Sequence, residues 1–248
     1  MGRIRKGYEA RFHALLQRAR ARRREQGVQW LLAKADRLSE DKGISLADAL
    51  TATYENLAGQ PYFQRARPVA APERFFCDAG LGGLARWLRA AGYEALWQPD
   101  IADDELLRKA REHPATVLTT DSMLMERRLV RDGIIPAVWL PPTLSIADQL
   151  ALVVREFGLS LREPRCMACG GELARADKEA LRERIPPKTY SWLDEYFLCS
   201  RCDRLFWHGT HWQRIRDQLG RVASETVGMR NRGESSAAPA LSRNSTNR

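Results

Sequence analysis

Two cysteine pairs constrain this chain more than any other feature. Cys166 and Cys169 are followed, after a gap of 29 residues, by Cys199 and Cys202. A two-residue spacer lets both sulfurs of a pair face one tetrahedral ion, and four thiolates close the coordination sphere of zinc. Gly170 and Gly171 supply the tight turn that such a knuckle needs. The gap is longer than in a simple ribbon, but an insertion between knuckles leaves the ligand geometry unaltered. Disulfides are the competing use of the four cysteines and belong to oxidising compartments. The opening run MGRIRKGYEARF has no apolar centre of a secretory signal. No apolar run approaches the roughly 18–20 residues that span a bilayer. The sequence therefore predicts an intracellular, cytoplasmic protein whose four thiols hold one structural Zn²⁺. Closed coordination leaves no place on that ion for a substrate. His208 and His211, in WHGTHW, are competing ligands by type, but their place between Trp207 and Trp212 reads better as a surface for nucleic acid or a neighbouring domain. Cys77, the fifth cysteine, lies in an apolar run and reads as a small packed hydrophobe.

Upstream of the cysteines the hydrophobic period changes twice. Phe12, Leu15, Leu16 and Ala19 mark one face of a first helix over 8–24, and Val28, Leu31, Leu32, Ala35 and Leu38 mark a second. Gly43 interrupts, and Ser45 with Asp48 forms a capping box for a third helix through Leu57. Residues 61–73, with three prolines, read as a linker. From Arg74 strands and helices alternate. Strands are expected over 74–77, 93–98, 116–120 and 134–140, the last near an edge because it contains Pro136. Helices are expected over 81–91, 103–112, 122–131 and 145–157, the last capped by Ser145 and Asp148. Alternation of this kind builds a parallel sheet flanked by helices, an α/β fold. The division is then a basic helical region (1–60), a linker (61–73), an α/β domain (74–163), a zinc module (164–220) and a disordered tail (221–248), the tail lacking aromatics and periodicity.

Three carboxylates fall at equivalent places in this alternation. Asp78 follows the first strand, Asp103 opens the helix after the second, and Asp121 follows the third. In a parallel sheet all three points lie at the carboxyl edge, where ligands bind. Each alone reads as an ordinary helix cap. Together they repel one another unless a cation joins them, which implies Mg²⁺ or Mn²⁺. Such an ion activates water and offsets charge on a phosphodiester. Asp104 is an alternative to Asp103, and Asp100 a remoter candidate; Thr119 and Thr120 are placed to orient the cluster.

The charge distribution sharpens the contrast. Residues 1–74 carry 15 Lys/Arg against 8 Asp/Glu (net +7), residues 75–163 carry 10 against 13 (net −3), and residues 164–248 carry 15 against 10 (net +5). Two basic flanks around an acidic middle suit a polyanionic partner, since Lys and Arg on phosphates release condensed counterions. The run Arg18, Arg20, Arg22, Arg23, Arg24 reads equally as a nucleic-acid grip and as a solvated helix face.

The runs FFCDAGLGGLARWLRAAGYEA, DDELLRKA and VLTTDSMLM resemble the Mut-seven C-terminal RNase family, a PIN-like nuclease domain. RCMACGGEL and FLCSRCDRLFWHGTHW are similar to the zinc ribbon appended to it. The resemblance covers roughly 74–217 and implies a PIN-like fold and metal-dependent cleavage of RNA. It places the metal on Asp78, Asp103 and Asp121, and it points to Arg86 and Arg89 as contacts of the phosphate backbone or of the acidic cluster. Thr120 stands where many relatives carry a basic residue, which removes one expected phosphate contact. No fourth acid is assigned. The sequence thus leads to a metal-dependent endoribonuclease with RNA as partner. Two readings compete with it. One is a non-catalytic RNA-binding adaptor. The other is a phosphoacceptor domain, disfavoured because no lysine lies near the fourth strand's end.

Overall fold

Three helices open the chain: α1 (Gly2–Arg18), α2 (Arg24–Lys42) and α3 (Leu46–Ala58). They appear in a computed structural model that describes residues 2–60, 62–63 and 71–234, with side chains through 224. The periodic stripes do what their spacing predicts: Phe12, Leu15, Leu16, Val28, Leu31, Leu32 and Ala35 share one buried cluster. Ser45 caps α3 as expected, accepting from the Asp48 amide at 3.1 Å. The first helix ends earlier than its pattern suggests, at Arg18, and Arg20 takes a left-handed φ of 54°. The arginine run is consequently not one helix face. Arg20, Arg22 and Arg23 lie exposed in the α1–α2 turn, while Arg18 pairs with Glu156.

The middle of the chain builds a four-stranded, wholly parallel sheet. Its strands are β1 (Arg74–Cys77), β2 (Glu94–Trp97), β3 (Thr116–Thr119) and β4 (Ala137–Trp139), in the order β2-β1-β3-β4. Pro136 keeps β4 short and at the edge, as expected. Successive side chains point to opposite faces, so Phe75, Cys77 and Leu118 enter one core and Phe76 and Val117 another. The first core is covered by α4 (Gly82–Ala90) and by α8 (Ile146–Phe157), the second by α5 (Asp103–Glu112), α6 (Ser122–Glu126) and α7 (Arg128–Arg131). Residues 122–131 are two short helices rather than one, because Arg127 adopts an extended ψ of 135° between them.

The N-terminal helices are packed on this sheet. Trp139 of β4, 1% exposed, belongs to their core, with its ring 5.4 Å from that of Tyr8. At Gly7 an added Cβ would meet the Trp139 ring at 2.3 Å, so only glycine allows α1 this approach. Lys6 pairs with Glu126, and the Tyr54 hydroxyl donates to Glu156 at 3.3 Å. Most of the expected linker falls outside the described residues.

The cysteine region forms a separate antiparallel sheet, β5 (Leu173–Ala176), β6 (Tyr196–Cys199) and β7 (Leu205–Trp207), in that order. The long insertion between the knuckles includes α9 (Pro187–Trp192) and folds over its own small cluster of Leu181, Ile185 and Tyr196. A final helix, α10 (Thr210–Glu234), returns to the first core of the parallel sheet and buries Ile215, Leu219 and Val222 there. This corrects the boundary at 221. The chain remains helical through 234, because the stripe at 215, 219 and 222 is one helical face; the rest of the expected tail lies outside the described residues.

Candidate active site and metal centre

The three aspartates meet the carboxyl edge of the sheet in different ways. Asp78 leaves β1 with its amide still bonded to the Leu118 carbonyl at 2.9 Å. Its Oδ1 accepts from the Ala79 amide at 2.6 Å, capping a 3₁₀ turn over Ala79–Leu81. Its Oδ2 accepts from the Thr119 hydroxyl at 2.7 Å. That same hydroxyl accepts from the Asp121 amide at 2.9 Å, and Asp121 Oδ1 caps α6 by accepting from the Met123 amide at 2.9 Å. The caps occupy one oxygen of each carboxylate and fix how the group is turned, and the Thr119 hydroxyl takes the second oxygen of Asp78.

Asp103 opens α5 as its first residue, after the cap position held by Ala102. Burial, and after it the carboxylates of Asp121 and Asp78, push its pKa above the ordinary value, while Arg127 pulls the other way. Asp103 thus feels the other two carboxylates across the edge. Asp104 is turned away, largely exposed and paired with Arg127. Asp100 is exposed, with a left-handed φ of 53°. Of the two threonines, Thr119 (fully buried) orients the cluster, whereas the Thr120 carbonyl accepts from Trp139 Nε1 at 3.0 Å. Among the described residues the three carboxylates are not drawn within 4.8 Å of one another; the four thiols alone are.

Those thiols are the second site. Cys166 Sγ lies 3.7 Å from Cys202 Sγ, and Cys169 Sγ 3.4 Å from Cys199 Sγ. These separations are too long for disulfides, and all four cysteines are free. They are close to the roughly 3.8 Å edge of a sulfur tetrahedron built on zinc–sulfur bonds of about 2.3 Å. Gly170 adopts a φ of 78° in the first knuckle, and a Cβ on Gly171 would press on Cys199 Sγ at 2.7 Å. Burial, together with the neighbouring sulfurs, pushes the Cys169 thiol up to about 12. At Cys199 burial is outweighed by the amides of Cys202 and Arg201, and the thiol is held down at about 7. Four sulfurs this close ionise together only around a cation, and a Cys₄ set of this shape suits a structural metal such as zinc.

The nucleic-acid candidates divide. Arg86 is exposed on α4 and makes no ion pair among the described residues. Arg89 is 3% exposed and is committed elsewhere: its Nε donates to the Ala95 carbonyl at 2.7 Å, and its Nη1 to the carbonyls of Met167 and Ala168 at 3.1 and 2.8 Å. The expectation that Arg89 contacts phosphate or the acidic cluster is therefore corrected. This arginine clamps the first knuckle to the sheet, a task the sequence does not announce because its partners are 78 and 79 residues away. His208 and His211 are both exposed, and neither joins the thiol cluster. His208 sits between the rings of Phe197 (4.9 Å) and Trp212 (5.5 Å, stacked). Arg127 was not foreseen at the acidic edge; its signal was a basic residue in the helix after the third strand, indistinguishable there from Arg128 and Arg131.

A parallel sheet with acids at its carboxyl edge, joined to a four-thiol knuckle that could hold a structural metal, defines an α/β protein with an appended cysteine module. The Mut7-C RNAse domain matches residues 73–219, and the chain belongs to that family. No curated protein and no solved structure matches the chain. Among the described residues no helix is long and apolar enough to cross a membrane.

Proposed function

We propose that this protein is a metal-dependent, PIN-like endoribonuclease in which Asp78, Asp103 and Asp121 hold Mg²⁺ or Mn²⁺. The observation that carries the reading is the Thr119 hydroxyl, which ties Asp78 to Asp121 at the edge where Asp103 is perturbed by both. An all-carboxylate donor set suits a hard divalent cation. Bound there, the ion supplies an activated water and neutralises charge developing on the phosphodiester. The chain's own residues do the positioning: the caps turn Asp78 and Asp121, Thr119 holds the Asp78 carboxylate and the Asp121 backbone, and Arg127 pairs with Asp104. Exposed Arg86 and the His208 stack, with His211 nearby, are suited to carry the RNA strand, through phosphate contact and base stacking respectively. The Cys₄ centre is a zinc scaffold without a chemical role, and its reduced thiols fit a cytoplasmic setting.

The test is cleavage of RNAs of varied sequence by purified protein with Mn²⁺. We expect strand scission that falls roughly 100-fold or more in Asp78→Asn and in Asp121→Asn, with weaker Mn²⁺ binding in each. An inert parent whose Asp78→Asn variant binds Mn²⁺ equally well would overturn the reading. One observation favours a second reading, an RNA-binding adaptor: the carboxylates are more widely spaced than the thiols. It predicts that replacing all three acids by Asn leaves RNA affinity intact and that the parent does not cleave.

A further inference from the structure

A cleft of about 290 Å³ opens beside Asp121, and one of its walls comes from outside the family domain. Thr120, Asp121, Ser122 and Trp139 line it together with Arg3 and Ile4 of α1. The basic residues of α1 are not equivalent. Arg5 is held by Asp36 in a two-pronged pair at 2.5 and 3.0 Å, Lys6 by Glu126 and Arg18 by Glu156, and Arg11 lies 3.9 Å over the Tyr54 ring. Arg3 makes no ion pair among the described residues, and it is the one that faces the cleft.

Resting on the nuclease reading above, we propose that α1 completes the substrate cleft, with Arg3 binding a backbone phosphate of the RNA beside Asp121. A guanidinium is a donor that phosphate oxygens take in pairs. The placement of Arg3 is firm, because Gly7 seats α1 on the Trp139 ring and Lys6 ties it to Glu126. Arg3 also offsets the repulsion that Asp121 exerts on an incoming strand. The family domain begins beyond α1, so this phosphate contact is an addition made by the N-terminal helices.

Binding of a fluorescein-labelled single-stranded RNA to the full chain, without added divalent ion and across a range of salt, tests this apart from catalysis. Arg3→Ala is expected to weaken binding roughly tenfold and to flatten the salt dependence by about one phosphate; Arg3→Lys recovers part of the affinity and Arg3→Glu loses more. Unchanged affinity and salt slope in Arg3→Ala, with a parent that cleaves RNA, overturns this inference and leaves the nuclease reading standing. Arg3-dependent binding by a parent that never cleaves keeps the phosphate site and sinks the nuclease reading.

Discussion

Thr119 serves two aspartates with one hydroxyl, donating to Asp78 Oδ2 and accepting from the Asp121 amide. Thr119→Val keeps the shape and leaves both groups a partner short. We expect it to weaken Mn²⁺ binding or RNA cleavage roughly 10- to 100-fold and to cost about 1–3 kcal/mol of stability. Thr119→Ser, which keeps the hydroxyl, should restore most of the Mn²⁺ affinity; a serine variant no better than valine in a Mn²⁺ titration would show that the bond is not what positions the acids. Cys77 makes a different case at the same scale. It is fully buried in the first core of the sheet, and burial pushes its thiol up to about 12. Since the thiolate is the nucleophile, Cys77 should resist a thiol reagent in the folded protein even after a chelator has exposed the other four cysteines. Counting thiols released by chelator and then by denaturant checks this, with four expected before one.

Elements were legible wherever a local rule fixed them. The serine caps at Ser45 and Ser145 stand where Ser-x-x-Asp predicts, and Pro136 leaves β4 at the edge. The sites of Asp78 and Asp121 followed from their places after β1 and β3. What stayed hidden depends on partners distant in sequence. Arg89 reads as one more cation on an amphipathic helix until α4 is set against the first knuckle, where it binds three backbone carbonyls. Arg127 reads as helix interior, yet an extended turn there frees it to hold Asp104. The Arg89 clamp is testable as an element-to-element joint. Arg89→Met leaves carbonyls of Ala95, Met167 and Ala168 without their charged donor, and we expect a loss of roughly 3 kcal/mol in urea unfolding together with faster zinc release to a chromogenic chelator. Arg89→Lys keeps the charge but not the fork, so an intermediate loss is expected. Equal effects of the two substitutions would mean that charge alone holds the joint.

At the scale of the whole molecule the zinc module is joined to the parallel sheet at two places. Arg89 ties the Cys166–Cys169 knuckle to the β2 carbonyl of Ala95, and α10, which follows β7 directly, drives Ile215, Leu219 and Val222 into the core beneath α8. Zinc that closes a structural site contributes its binding free energy to folding. In a module on a tether that contribution would stop at the module, and removing the metal would melt residues 166–207 while the sheet unfolded at its usual temperature. Here the loss passes into the main core through α10. We therefore expect chelation to lower the unfolding transition of the whole α/β domain, as one cooperative shift of several degrees or more, and readdition of Zn²⁺ to reverse it. Fluorine NMR of 5-fluorotryptophan-labelled protein, with the Trp139 resonance assigned by Trp139→Phe, separates the outcomes, because Trp139 lies under α1, at the far edge of the sheet from the knuckle. A Trp139 signal that melts at an unchanged temperature in the chelated protein would show that the module is an appendage. A signal that moves with the zinc would show that the metal stabilises the sheet on which the three aspartates stand.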